Sequence, residues 1–287
     1  MTHHSALFPE DIKRPTAEEF EQLRILVFKQ IGIQWDTTKV DLAYTRLRRR
    51  LLTLGLQSFS QYIDYLKQNV AEYQQMINAV TTNTTEFFRE NHQFDFLIQD
   101  FFPAIIENPP AGRKLRIWSA GCSTGEEAYT LAMLTLENLG SRRMKEWDTR
   151  ILASDVSTSA LQKAEEGFYT EDDVSKLPNL YVEKYFQKGR RHGEIVYRVD
   201  DSLRALIQFR IINFLAPEYP VKTLFDLIFC RNVLIYFNKE TQGMLTQRFQ
   251  NMLAPGGYLC LGHSESLQGL QGFIRLKYNI FQKSDFF

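Results

Sequence analysis

The chain has 287 residues, 44% of them hydrophobic and 24% charged, a balance that excludes a disordered protein and allows one large domain or a domain with a smaller partner. Its 34 Lys and Arg residues match 34 Asp and Glu residues, so no net field favours nucleic acid or a membrane surface. Three widely spaced cysteines, Cys122, Cys230 and Cys260, form no CxxC pair and exclude a disulfide scaffold or cysteine-rich zinc site.

The opening MTHHSALFPEDIKRP has no apolar signal core, and no apolar run reaches the roughly 20 residues of a membrane span. The expected compartment is the cytoplasm. His3 and His4 read as a frayed terminus rather than as metal ligands. From Thr16 to Val80 the pattern is helical: Leu23, Leu26, Val27 and Ile31 recur at spacings of three and four and stop at Gly32. A second helix is expected over Val40–Leu54, ending at Gly55, a third from Ser58, and a fourth over Ala71–Val80. Together they predict a small bundle over residues 1–80. Arg46, Arg49 and Arg50 on the second helix occupy i, i+3 and i+4, one face that could be either solvated or a dock for an acidic surface.

Residues 81–112 read as a linker, closed by Asn108-Pro109-Pro110-Ala111-Gly112. From 113 to 287 short apolar strands alternate with amphipathic helices: Leu115–Ser119, a helix from Glu126, Ile151–Ala153, a helix from Ser157, Ile207–Ile212, then Leu224–Phe229. This is an α/β pattern with a parallel sheet covered on both faces. The run Tyr258–Gly262 and the last strand-like residues predict that a hairpin closes the sheet. Between about 177 and 202 an inserted antiparallel hairpin is expected, with its turn at Lys188–Gly193.

The first strand runs into Ala120-Gly121-Cys122-Ser123-Thr124-Gly125-Glu126-Glu127, where small residues let a ligand approach the backbone at a helix N-terminus. The loop lacks the lysine of GxxxxGK[ST] and does not spell GxGxxG. Glu126 and Glu127 would repel a pyrophosphate and suit a cationic ligand, although acidic first turns also serve the helix dipole. Asp155, at the tip of the second strand, is either a ribose ligand or an N-cap in competition with Ser157 and Ser159. The two motifs together favour S-adenosylmethionine over NAD.

Four segments then agree. TTNTTEFFRE (81–90), IWSAGCSTGEEAYTLAM (117–133), ASDVSTSALQKAEEGFY (153–169) and FDLIFCRNVLIYF (225–237), with GGYLCLGHSESL near the end, resemble the chemoreceptor glutamate methyltransferases of bacterial chemotaxis, the CheR family. The resemblance implies a class I (Rossmann-like) methyltransferase sheet, an N-terminal helical domain and a small inserted β-subdomain. It implies methyl transfer from S-adenosylmethionine to receptor glutamates, giving methyl esters and S-adenosylhomocysteine. By matched position it implies that Asn83, Thr85 and Arg89 line the cofactor site and that Gly121, Glu126 and Asp155 belong to it. Asn213 and Phe214 would flank the adenine, and Arg231 and Asn232 would complete the pocket. Arg89 and Tyr236 would stand nearest the methyl group. The expected partners are chemoreceptor cytoplasmic helices, docked through Arg46, Arg49 and Arg50, with the β-subdomain gripping a receptor C-terminal peptide in some family members. The enzyme is expected to be a monomer without metal.

A glutamate carboxylate, ordinarily near pKa 4.3, is already a nucleophile at neutral pH, so neither a general base nor a metal is needed. What the site must supply is alignment and a donor that holds the carboxylate, roles open to a guanidinium or a phenol. The rival readings are a methyltransferase serving another protein assembly and a non-catalytic adaptor. A nucleic-acid methyltransferase lacks both a basic excess and a DPPY-like motif here.

Overall fold

The computed structural model describes residues 12–266 and 271–284, so His3 and His4 lie outside the described residues. The chain divides into two compact units, 1–82 and 83–287.

The first unit contains α1 (Ala17–Ile31), α2 (Val40–Leu54), α3 (Phe59–Gln68) and α4 (Val70–Val80). Thr16 and Glu19 form a capping box on α1, and Glu19 also accepts from the Ser60 N–H (2.8 Å) and hydroxyl (2.6 Å) at the start of α3. Gly32 and Gly55 end their helices in the left-handed conformation, as the sequence predicts. Leu23, Val27, Leu47, Leu51 and Tyr62 fill the core.

The expected linker over 81–112 is not one beyond residue 82. Residues 83–107 carry Phe87, Phe94, Phe101 and Phe102 into the core of the second unit, from the turn before α5 (Asn91–Phe96), from α5, from the π-helical Leu97–Phe101 and from α6 (Phe102–Glu107). Four buried aromatic rings give this segment enough apolar surface to fold onto the sheet. There follow β1 (Lys114–Ala120), α7 (Glu126–Glu146), β2 (Asp148–Asp155), α8 (Thr158–Glu166), β3 (Phe168–Tyr169), α9 (Glu171–Val174), α10 (Asn179–Tyr185), β4 (Phe186–Arg191) and β5 (Glu194–Val199). The chain continues through α11 (Asp201–Arg204), β6 (Ile207–Ile211), β7 (Phe225–Cys230), α12 (Lys239–Met252), β8 (Leu253–Leu261), β9 (Phe273–Arg275) and β10 (Ile280–Lys283).

The main sheet has the order β6-β2-β1-β7-β8-β10-β9, parallel as far as β8 and closed by the antiparallel β9–β10 hairpin. Side chains alternate between its faces. Ile117, Leu227 and Phe229 join the α5–α7 side, and Trp118, Ile228 and Cys230 join the side covered by α12. The chain order reverses between β1 and β7, the place where ligands bind in open α/β sheets.

The inserted subdomain is larger than a hairpin. Its sheet has the order β3-β5-β4, so Phe168–Tyr169 adds a strand from outside 177–202. The expected turn at Lys188–Gly193 is shorter. Lys188–Arg191 continue β4, and the reversal falls on His192 (φ 52) and Gly193 (φ 86), because Arg191 pairs with Glu194.

Candidate functional site

The loops after β1 and β7 emerge side by side at the carboxyl end of the sheet. The first is held by Asp155. Its Oδ2 accepts the Ser123 N–H (2.9 Å) and its Oδ1 accepts the Ser157 N–H (2.8 Å), while the Gly121 and Cys122 N–H groups both reach the Ser154 carbonyl. Ser157, not Asp155, caps α8 by accepting from the Ala160 N–H. Burial pushes the Asp155 carboxyl above its ordinary value, against the pull of its backbone donors. Asp155 remains half-buried with acceptor capacity to spare.

Gly121 (φ 86) has a second reason to lack a side chain. A Cβ there would lie 2.4 Å from Val233 Cγ2 on the β7 loop. A Cβ on Gly125 (φ 100) would meet Ala164 Cβ at 2.8 Å and the Tyr169 hydroxyl at 3.0 Å. That hydroxyl donates to the Thr124 carbonyl (2.7 Å), so the inserted subdomain braces the loop. Glu126 is buried and accepts from the Thr124 hydroxyl; burial raises its pKa.

Glu127 and Arg231 form a buried ion pair. Arg231 Nε donates to Glu127 Oε2 (2.7 Å), and the Ser119 hydroxyl donates to Glu127 Oε1 (2.6 Å). Arg231 Nη1 donates to the Arg89 carbonyl (2.6 Å), and the guanidinium lies 4.9 and 5.3 Å from the ring centroids of Phe94 and Phe229, which stack on each other. With 2% of its side chain exposed, Arg231 has its guanidinium taken up by protein partners. Its position after β7 points it into the sheet's buried layer, where only a charged partner makes burial tolerable.

Asn232 sits in the left-handed region (φ 58), as do Ser123, Phe88 and Glu90. Four non-glycine residues of this kind in the segments that meet here are a local store of strain, a hallmark of functional sites. Asn232 Nδ2 lies 3.4 Å from Glu90 Oε1. The Asn83 carbonyl accepts the Ser123 hydroxyl (3.0 Å), which brings TTNTTEFFRE against the β1 loop. Thr85 is half-buried. Arg89 spends one nitrogen on the Thr84 carbonyl (3.0 Å). Tyr236, half-buried in the 3₁₀ turn Leu234–Tyr236, makes no hydrogen bond through its phenol to another described residue.

At the end of β6, Asn213 Oδ1 accepts the Leu215 N–H (3.0 Å). The Phe214 ring is buried against Trp118, Tyr219 and Phe249. One participant went unread in the sequence. Glu265, in the quoted GHSES, accepts backbone N–H groups from the β7 loop. The only local signal was an acid in an otherwise small, polar turn.

Residues 83–279 match the CheR methyltransferase, SAM binding domain, and residues 18–81 match the CheR methyltransferase, all-alpha domain. The chain belongs to the CheR methyltransferase family. It is 39% identical over 254 residues to the chemotaxis protein methyltransferase of Escherichia coli, covering 88% of this chain and 85% of that one. It is 38% identical to chemotaxis protein methyltransferase 2 of Pseudomonas aeruginosa (91% and 90% covered) and 36% identical to the chemotaxis protein methyltransferase of Borreliella burgdorferi (88% and 90%). Like the family, the chain is an S-adenosylmethionine-dependent methyltransferase. The site suits that cofactor: it combines a close-approach glycine, a half-buried acid with spare acceptor capacity and a carboxylate-rich loop without lysine.

In the helical unit, the basic stripe of α2 divides. Arg50 forks onto Glu72 (2.9 and 2.8 Å), which also accepts from the Tyr62 hydroxyl (3.0 Å). Arg46 donates to the Thr81 carbonyl and to Thr82 Oγ1 (3.2 Å). Two of the three arginines expected to dock a partner therefore tie α2 to α4 and the residues after it, and Arg49 alone of the three is exposed.

Proposed function

We propose that this methyltransferase esterifies glutamate side chains of chemoreceptor cytoplasmic helices. The observation that carries this reading is the contrast in polar groups at the site. The carboxylates of Glu127, Asp155 and Glu265 are engaged by the protein's own donors, whereas the Tyr236 phenol and most of the Arg89 guanidinium are not. A site that offers unengaged donors suits a substrate that is already an anion. The names of the relatives support a chemotaxis substrate.

S-adenosylmethionine, when bound, supplies a methyl group on a positively charged sulfur. Asp155 would accept hydrogen bonds from its ribose, Glu126 and the β1 loop would hold its methionine portion, and Asn83, Thr85 and Asn232 would border it. Arg89 and Tyr236 donate to the incoming carboxylate and align one oxygen, which is catalysis by positioning. Arg231 supports the site from below through Glu127 and the Arg89 carbonyl.

For receptor docking, Arg49 is the member of the α2 stripe free to meet an acidic helix. The free edge of β4 offers a strand-addition surface for a receptor C-terminal peptide. The proposed working unit is a monomer, with the segment 81–82 joining the helical and catalytic domains.

Membranes bearing the cognate receptor, incubated with the enzyme and methyl-labelled S-adenosylmethionine, should acquire alkali-labile label on the receptor. Cofactor binding without any base-labile receptor label would replace this reading with the adaptor.

A further inference from the structure

Glu265 is 5% exposed, and its carboxylate gathers five backbone donors. Oε1 accepts the N–H groups of Val233 (2.8 Å), Leu234 (2.7 Å) and Ile235 (3.3 Å); Oε2 accepts those of Asn232 (3.0 Å) and Gly262 (2.6 Å). Four consecutive N–H groups converge on one point only if the chain curls, and here Asn232 turns left-handed before the 3₁₀ turn of Leu234–Tyr236. The loop from Arg231 to Asn238 contains neither glycine nor proline to impose that curl locally. The anion that imposes it lies 31 residues downstream of Leu234.

Glu265 is itself held. Asn279, in the β9–β10 turn (φ 55), donates from Nδ2 to the carbonyls of Gly262 (3.0 Å), His263 (3.1 Å) and Glu265 (2.8 Å). Gly262 has no room for a side chain: a Cβ would lie 2.7 Å from Asn232 N, Asn232 Nδ2 and Glu265 Oε2. The closing hairpin thus fixes a turn, the turn fixes a carboxylate, and the carboxylate fixes the β7 loop.

We propose that Glu265 is a positioning residue for methyl transfer, its carboxylate setting the backbone of residues 232–235 and thereby the placement of Asn232 and Tyr236. The inference rests on the roles proposed above for those two residues. Both Glu265 oxygens are engaged by backbone donors, so it acts through the loop. Its function needs an acceptor on both oxygens, so glutamine, which matches its size but turns an N–H₂ toward backbone donors, is the discriminating replacement.

The test pairs amide hydrogen exchange with kinetics in Glu265→Gln. The Val233 and Leu234 amides should exchange about tenfold faster or more, while those of the β1 and β7 strands stay within about twofold. In receptor methylation kcat should fall about tenfold or more with the receptor KM within about twofold, since a misplacement near 1 Å costs up to about a hundredfold. Glu265→Asp, which keeps charge and both oxygens, should recover part of kcat. Should the glutamine variant fail to fold, Gly262→Ala crowds the same nest without removing the carboxylate and should show the same local change. Exchange at 233–234 within about twofold of the parent, or acceleration spread equally over β1 and β7, overturns the proposal. The exchange result is independent of the substrate, so absence of receptor label in the unsubstituted enzyme defeats the glutamate reading alone.

Discussion

The loops after β1 and β7 leave neighbouring strands at the same end of the sheet, yet they are built in opposite ways. The β1 loop takes its shape from its own residues: Gly121 and Gly125 at φ 86 and 100, small side chains between them, and the start of α7. The β7 loop has no such residues, and its curl is imposed from Glu265, with Arg231 beneath it drawn to Glu127. The two meet where Val233 fills the space left by Gly121. A ligand loop can therefore be made by local backbone freedom or by a distant buried charge, and only the first leaves a readable trace in sequence.

The difference can be probed from its most costly element downward. Arg231→Met strands the Glu127 carboxylate in the core and should destabilise the protein by about 3–5 kcal/mol in denaturant unfolding, with much of the loss recovered by adding Glu127→Gln. If the single and double variants unfold alike, the pair is not the β7 loop's foundation. Gly121→Ala combines left-handed strain with a 2.4 Å approach to Val233 and should cost about 3 kcal/mol. Adding Val233→Ala should return only the steric share; full recovery would mean that the backbone conformation of the β1 loop is not strained.

Effects on the ligand should be smaller and separable. Asp155→Ala should weaken S-adenosylhomocysteine binding about tenfold by calorimetry, with unchanged affinity removing the ribose assignment. Tyr236→Phe should lower kcat about tenfold while the same affinity moves less than about twofold; a large loss of affinity would make the phenol structural.

The smallest effect is in pH. Burial raises the carboxyls of Asp155, Glu126 and Glu265 above their ordinary values, so the folded state holds protons that the unfolded chain has released. Stability from these groups is present at low pH and lost as pH rises through the raised values. The melting temperature of the parent should therefore gain on that of Glu126→Gln as pH falls toward the raised values. A difference between the two that stays constant with pH would show that burial of Glu126 does not set its protonation.

The helices of the first unit and the strand–helix alternation of the second were legible because each is written at a fixed period, with glycine at Gly32 and Gly55 marking where helices stop. The β1 loop and Asp155 were legible for a related reason: small residues and an acid at strand ends carry their chemistry locally. Less legible were charges and rings whose partners lie far away in sequence. Arg46 and Arg50 look like a docking face until Thr81 and Glu72 arrive beside them. Arg231 and Phe214 follow their strands as ligand residues would, and their packing against Glu127 and Trp118 is invisible in sequence.

Sequence by itself determined the family, the order of elements and the segments that converge on the sheet's carboxyl end, since periodicity, glycine placement and matched motifs are properties of neighbouring residues. Tertiary structure decided which polar groups face a ligand and which hold the protein together. Burying a charge requires a partner within hydrogen-bond reach, and for Arg231 and Glu265 folding brings that partner from 104 and from some 30 residues away.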